Sequence, residues 1–196
     1  MGDKENLHRY LVQERADLVG KLDGLSEYDA RRPLTPTGTN LLGLVKHVAF
    51  TQLGYLTEVF GRPAGLDYSE VAVHDDMWAK PTETREKVLG WFAHSCARAD
   101  ETVAELDLDA EGFVPWWGPE RGHVTLHRVL VHLVAEVARH AGHADILRET
   151  IDGVAGQRPA DPSFPGRSPE EWAAWREQIE AAAREAAGEP PAVSGS

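Results

Sequence analysis

The sequence is poor in cysteine and in long apolar runs. Its 196 residues include a single cysteine, Cys96, so an internal disulfide cannot form, and this predicts a reducing, cytoplasmic location. No stretch reaches the roughly 18 uninterrupted apolar residues of a membrane span, so no membrane partner is expected. Residues 1–18 are charged and lack the apolar core of a secretory signal peptide, which also favours the cytoplasm.

Positive charge is scarce as well. The chain has 20 Lys and Arg against 32 Asp and Glu, which gives a formal net charge of −12. Because a phosphate backbone repels such a surface, the sequence predicts no nucleic-acid partner. The same charge permits a small-molecule substrate, although it provides no electrostatic steering toward an anionic one.

Several motifs of well-known enzymes are missing. The sequence has no HExxH pair, which excludes a zincin-type protease, and no G-x-S-x-G elbow. Glycine-rich phosphate loops of the GxGxxG or Walker type do not precede any predicted helix. A di-iron bundle would need two Glu-x-x-His pairs with i, i+3 spacing, whereas the pair on the fourth predicted helix, Glu136 and His140, is single and has i, i+4 spacing.

What the sequence does contain is helical periodicity. Apolar residues recur at helical spacing in five segments, and almost no strand is predicted. Asn40 or Thr39 can cap the second segment, and Ser168 can cap the fifth. The five predicted helices cover residues 5–25, 41–61, 81–106, 125–150 and 168–188.

Long helices joined by loops favour an all-α fold. We predict a four-helix bundle over residues 1–155, then a linker and an additional C-terminal helix packed on the bundle over 156–187. Residues 188–196 are predicted to be a disordered tail. The loop of residues 61–80 is long enough to suggest a functional role.

The fourth predicted helix carries an unusual polar stripe in "HLVAEVARHAGHADILRE". With about 100° per residue, Glu136, His140 and His143 all lie within about 80° of His132, beside the apolar face of the helix. Burying unpaired imidazole and carboxylate groups there is costly, so something must satisfy them.

A metal ion is one answer. Glu136 and His140 are four residues apart, so both can reach one ion, and His47 on the second helix can supply a third ligand. Imidazole and carboxylate suit Zn²⁺, Ni²⁺ or Fe²⁺. The other answer is a histidine–carboxylate network without metal, and the residues alone leave both open.

Aromatic side chains and arginines near this stripe have two interpretations. Tyr55, Trp78, Trp116 and Trp117 either line a pocket mouth or are packing residues. Likewise, Arg139 and Arg148 either bind an anionic substrate or form surface ion pairs.

Two segments, "TNLLGLVKHVAFTQLGYL" and "LHRVLVHLVAEVARHAGHADILRETIDG", resemble the DinB-like (DinB/YfiT) superfamily. The resemblance extends over roughly residues 5–185. It is strongest to an actinobacterial branch of unassigned function, related to mycothiol-dependent maleylpyruvate isomerase. It implies a four-helix bundle, often dimeric, in which one side chain of the second helix and two of the last bundle helix hold a divalent metal.

Carried over residue by residue, the resemblance implies His47, Glu136 and His140 as metal ligands. Many relatives have histidine in place of Glu136, whereas the isomerase relatives use glutamate. His132, His143 and Arg139 would then support the ligands or face the substrate. Zn is the first expectation for the metal, with Ni or Fe as alternatives.

The resemblance also implies a function. Characterised relatives use the metal to activate a low-molecular-weight thiol such as mycothiol, so we expect a metal- and thiol-dependent transferase or isomerase acting on a small molecule, as a homodimer. Two alternatives remain at this point. One is a non-catalytic metal-binding or stress-related bundle, and the other is a structural dimerisation bundle without metal.

Overall fold

The computed structural model describes residues 2–67, 75–157 and 165–189, and the chain divides into two compact units, residues 1–159 and 160–196. In these ranges the regular structure is helical apart from one small antiparallel hairpin, and loops join the elements. The helices are α1 (Asp3–Gly20), α2 (Glu27–Arg31), α3 (Leu41–Leu56), α4 (Arg85–Glu105), α5 (Leu126–Asp152) and α6 (Pro169–Ala187), and the strands are β1 (Glu111–Phe113) and β2 (His123–Thr125).

Four of these helices form a bundle, which confirms the predicted all-α fold. Helix α1 packs on α4 and α5, and α3 packs on the same two helices, so each long helix has two neighbours. Leucine, valine and alanine side chains fill the space between them, including Leu11, Leu53, Val88 and Leu133.

Helix α3 is the most buried element of the bundle. Every one of its residues is buried except His47 and Thr51, which are four apart and therefore lie on one line of the helix surface. Its start is fixed as predicted, because Asn40 Oδ1 accepts a hydrogen bond of 2.8 Å from the Gly43 N–H. The helix thus approaches solvent along a single polar line.

Some helix boundaries differ from the sequence prediction. Helix α4 begins at Arg85 rather than Pro81, because the Thr84 hydroxyl accepts from the Lys87 N–H at 3.2 Å and caps the helix. Helix α3 ends at Leu56, and a short 3₁₀ turn follows it. Helix α2 was not predicted; Ser26 caps it, and five residues are too few to show helical periodicity.

The hairpin was not predicted either, because three-residue strands give almost no period-two signal. Strand β1 pairs with β2 so that Phe113 lies opposite His123, and the connection carries a 3₁₀ turn at Pro115–Trp117. Gly122 permits this tight return, since a Cβ there would lie 2.6 Å from Phe113 Cε2. Strand β2 leads directly into α5, so the hairpin holds the two tryptophans near the start of that helix.

The second unit contains α6. Ser168 caps it with Glu171 in the predicted reciprocal pair: the Glu171 N–H donates to Ser168 Oγ, and the Ser168 N–H donates to Glu171 Oε2. Packing of this helix on the bundle remains a prediction. Of the predicted disordered tail, residues 190–196 lie outside the described residues. None of the described helices is both long and apolar enough to cross a membrane.

Candidate functional site

Two bundle helices bring His47, Glu136 and His140 together. One ligand-type atom from each residue lies within 4.8 Å of the other two. Glu136 Oε1 lies 3.1 Å from His140 Nε2 and 3.6 Å from His47 Nε2, and the two imidazole rings meet edge to face at 4.7 Å. The cluster lies where the polar line of α3 faces the histidine stripe of α5.

The surroundings shift the pKa values of the three side chains in different directions. Burial would lower the pKa of His47, but hydrogen bonds and negative charge from Asp76 and Glu136 raise it overall. Burial lowers the pKa of His140, and the neighbouring His47 lowers it further. Burial would raise the pKa of Glu136, but His140 and His47 lower it overall. Without a bound ion, these directions favour the protonated form of His47, the ionised form of Glu136 and the neutral form of His140.

Asp76 supports His47 from the side opposite Glu136. Its Oδ2 accepts a hydrogen bond from His47 Nδ1 at 2.8 Å, which directs Nε2 of the same ring toward Glu136. Thr51 Oγ1 also lies 3.3 Å from His47 Nε2. A carboxylate behind a histidine fixes the ring orientation and raises its basicity, as in many metal sites.

Sequence reasoning did not find Asp76. It lies in the long loop of residues 61–80, whose length did suggest function, but 29 residues separate it from His47. Nothing in helical spacing connects a loop carboxylate to one particular histidine. The signal that could have pointed to it was only the acidic pair Asp75–Asp76 in a loop otherwise predicted to be functional.

A buried lysine anchors the segment that carries Asp76. Lys46 is fully buried, and its Nζ donates to Glu83 Oε2 at 2.8 Å and to the backbone carbonyls of Trp78 and Asp75 at 3.0 and 3.3 Å. Because Lys46 precedes His47 on α3, one helical turn fixes both the histidine and the segment that supports it.

A close backbone contact provides a second attachment. The Met77 carbonyl lies so near Gly43 that a Cβ at this position would be 1.9 Å from its oxygen. Asn40 Nδ2 also donates to the same carbonyl at 3.4 Å. Only glycine permits this approach, so the Met77 backbone packs directly against the backbone of α3 at the first turn of the helix.

Gly43→Ala is therefore expected to destabilise the protein by about 1–3 kcal/mol, because the overlap with Met77 outweighs the better helix propensity of alanine. Urea unfolding measures the change. Gly90→Ala in α4 is the matched control: nothing lies within 4 Å of its Cβ position, so this variant is expected to gain stability. A Gly43→Ala protein as stable as Gly90→Ala would contradict the close contact.

His132 lies one turn before Glu136 and contacts an aromatic group rather than the cluster. Its ring centroid lies 4.9 Å from that of Tyr55 and 5.0 Å from that of Trp117, and burial lowers its pKa. Trp116 Nε1 donates to Tyr55 Oη at 2.9 Å. Three of the four aromatic residues considered from sequence thus gather at this end of the site, whereas Trp78 binds Asp75 through its indole N–H.

The remaining predicted residues lie at the edge of the cluster. His143 is exposed, and its ring centroid lies 5.5 Å from that of His140. Arg139 is exposed, and its role toward a substrate stays a prediction. Arg148 binds Asp152 at 2.7 Å and donates to the carbonyls of Lys21 and Asp23, so it ties α5 to the end of α1.

Cys96 is partly buried and packs against the hydrophobic core. The thiol is half-buried on α4, Gln52 Nε2 donates to its Sγ at 3.3 Å, and burial raises its pKa. A thiol with a raised pKa is a poor nucleophile near neutral pH. The chain's own cysteine is therefore a packing residue.

Comparison with known proteins gives a family. None of the curated proteins compared with the chain matches it. A family model described as mycothiol-S-transferase matches residues 6–153, about three quarters of the chain and the whole helical bundle from α1 to α5. The matched region includes the two helices that supply His47, Glu136 and His140. On this match, the chain belongs to the mycothiol-S-transferase family.

Proposed function

We propose that the protein binds one divalent metal ion at His47, Glu136 and His140 and joins mycothiol, through its sulfur, to a small electrophilic molecule. The observation that carries the proposal is the convergence of these three donors, with Asp76 directing His47 toward the other two. Family membership supports the thiol and the reaction class. The metal and the substrate are our own inference.

The donor set fits a divalent ion. Ligand atoms of a tetrahedral site with metal–ligand bonds of about 2.0–2.2 Å stand roughly 3.4 Å apart. The distances from Glu136 Oε1 to His140 Nε2 and His47 Nε2, 3.1 and 3.6 Å, bracket that value. Two imidazoles and one carboxylate suit Zn²⁺ first, with Ni²⁺ or Fe²⁺ as alternatives, and three protein ligands leave room for a substrate.

The chemistry requires an activated thiol. A divalent ion at this cluster would lower the pKa of a thiol that it binds, so that the sulfur is nucleophilic near neutral pH. In the transfer, the sulfur forms a bond to an electrophilic carbon, and the leaving group departs with its bonding electrons. Burial lowers the pKa of His132 and so favours its neutral imidazole, one of whose ring nitrogens would accept the proton that the thiol loses.

The aromatic group beside His132 would shape the entry. Tyr55, Trp116 and Trp117 form one wall next to the histidine stripe of α5. Such a wall excludes water from one side of the bound thiol and gives a small organic acceptor an apolar surface. We further propose that the protein works in the cytoplasm as a homodimer, as the superfamily resemblance implies.

The test is a thiol-transfer assay with the untagged protein loaded with Zn²⁺. Mycothiol and a chlorinated fluorogenic electrophile are mixed with the protein, and chloride release and thioether fluorescence are followed together. We expect turnover that requires both mycothiol and metal. Stoichiometric metal binding without turnover would contradict the transferase and favour a metal-binding bundle, whereas absence of binding would contradict the metal site itself.

Asp76→Asn is expected to weaken metal binding by about 10-fold to 100-fold, because the His47 ring loses the carboxylate that orients it and raises its basicity. Competition with a chelator of known affinity measures the change. Asp75→Asn is the matched control, since it removes a carboxylate from the same segment without touching His47. Equal metal affinity of the two variants would show that Asp76 plays no part in the site.

A further inference from the structure

We infer that a cleft formed by Trp117, Arg121 and Arg128 binds a carboxylate group of the acceptor molecule, an inference that rests on the thiol transfer proposed above. The cleft has a volume of about 220 Å³, which suits one small organic group. It lies at the junction of the hairpin connection and the first turn of α5.

Arg128 is held in place before any ligand arrives. Its Nη1 donates to the backbone carbonyls of Arg121 and His123, both at 3.3 Å. Its guanidinium also lies over the Trp117 ring, 5.0 Å from the centroid. A guanidinium fixed by its own chain loses little conformational entropy when it binds an anion, so the cleft is preorganised.

The charge of the cleft stands out against the rest of the protein. The net charge is −12, and other arginines of the bundle, such as Arg15 and Arg62, are paired with carboxylates. Among the described residues, no carboxylate forms an ion pair with Arg121 or Arg128. The guanidinium of Arg128 over the Trp117 indole, together with Arg121 in the lining of the same cleft, therefore gives a local positive site with an apolar wall, which matches a carboxylate attached to a small organic body.

The position of the cleft connects it with the proposed reaction. Arg128, His132 and Glu136 follow one another at four-residue spacing on α5, so the cleft begins about two helical turns from the metal-binding cluster. The Trp117 ring contacts both Arg128 and His132, which makes the surface between them continuous. An acceptor anchored by its carboxylate can thus extend along this face toward the bound thiol.

A neighbouring cleft on the other side of Arg128 is a poorer anion site. It is lined by Glu111, His123 and Thr125 among others, so a carboxylate of the protein already faces it. Like-charge repulsion from Glu111 would oppose a second carboxylate there. The inference is therefore specific to the side of Arg128 that faces Trp117 and Arg121.

The experiment titrates benzoate, with benzamide as the uncharged analogue, into protein labelled with ¹⁵N at tryptophan. The Trp117 indole resonance, identified with Trp117→Phe, reports on the cleft. We expect benzoate to shift this resonance saturably and benzamide to have little effect. Arg121→Gln and Arg128→Gln should each weaken benzoate binding by roughly tenfold, as expected for loss of a charge-assisted hydrogen bond. Arg9→Gln, which removes an exposed arginine of α1, should bind as the wild type does.

The same titration is repeated on His140→Ala, which lacks a proposed metal ligand. Benzoate binding that survives in this variant supports the cleft whatever becomes of the metal and the thiol chemistry. Equal shifts with benzamide would overturn the carboxylate assignment, because they would show a purely apolar site. Inorganic phosphate that binds as tightly as benzoate, or arginine variants that bind normally, would also overturn it.

Discussion

His140→Ala is expected to remove most of the metal from the protein. Its Nε2 lies 3.1 Å from Glu136 Oε1, and the residue is buried, so its removal takes one of the three donors out of the cluster. Loss of a supporting hydrogen bond alone costs about 10-fold to 100-fold in metal affinity, and loss of a direct ligand should exceed the upper end of that range. His47→Ala should have a similar effect, since it removes the only ligand from α3.

The measurement is elemental analysis of untagged protein after equilibration with Zn²⁺, together with chelator competition. His127→Ala is the matched control, because His127 is an exposed histidine on the same helix α5. About one metal per chain in the wild type and in His127→Ala, with little in the other two, is the expected pattern. Equal metal content in all four proteins would mean that the cluster is a hydrogen-bonded polar network. Thermal unfolding of each variant checks that any loss of metal is not caused by loss of the fold.

Most of the fold could be predicted from local sequence signals, namely helical periodicity and capping residues. Long helices repeat their apolar face every 3.6 residues, and Asn40 and Ser168 offer capping side chains at the right places. Helix α2 and the hairpin were missed because three to five residues are too short for a periodic signal. The start of α4 was placed too early, because Pro81 is also typical of a first helical turn, whereas the structure has Thr84 as the capping residue.

Helical spacing also predicted part of the candidate site. Glu136 and His140 share a helix face, so spacing alone puts them together, while the superfamily resemblance was needed to prefer them over His132 and His143. The structure separates these four in physical terms. His132 packs against Tyr55 and Trp117, whereas His143 is exposed. Of these two partners, Tyr55 comes from α3 and Trp117 from the hairpin connection, and no helical period could predict the contact with Trp117.

Asp76 shows what the sequence could not provide. Its position depends on residues 75–80 lying against α3, and that arrangement depends on a buried ion pair between Lys46 and Glu83. In the sequence, Lys46 is a charged residue within an apolar helix, and nothing there indicates its partner. Its meaning becomes visible only when its Nζ is found bound to Glu83 and to two carbonyls of the segment beside His47.

Lys46→Met is expected to destabilise the protein by about 3–5 kcal/mol, because it leaves the carboxylate of Glu83 buried without its counter-charge. This loss is a large fraction of the free energy of unfolding of a typical domain, which is about 5–15 kcal/mol. Urea unfolding of the metal-free protein measures it. Lys80→Met is the control: Lys80 pairs with Asp75 at 3.4 Å on the exposed side of the same segment, so its loss should change stability little.

The double variant Lys46→Met/Glu83→Gln separates the charge from the packing. In the native protein, the Lys80 backbone N–H donates to Glu83 Oε2 at 2.8 Å. Glutamine at position 83 keeps an oxygen that can accept this hydrogen bond, but it carries no charge that needs a partner. The double variant should therefore be more stable than Lys46→Met alone. Both variants lose the lysine bonds to the Trp78 and Asp75 carbonyls, so both should bind metal more weakly than Lys80→Met does. A double variant no more stable than the single one would contradict the argument that an unpaired Glu83 carboxylate causes the loss of stability. Unchanged metal affinity in both variants would show that Asp76 stays on His47 without the lysine anchor.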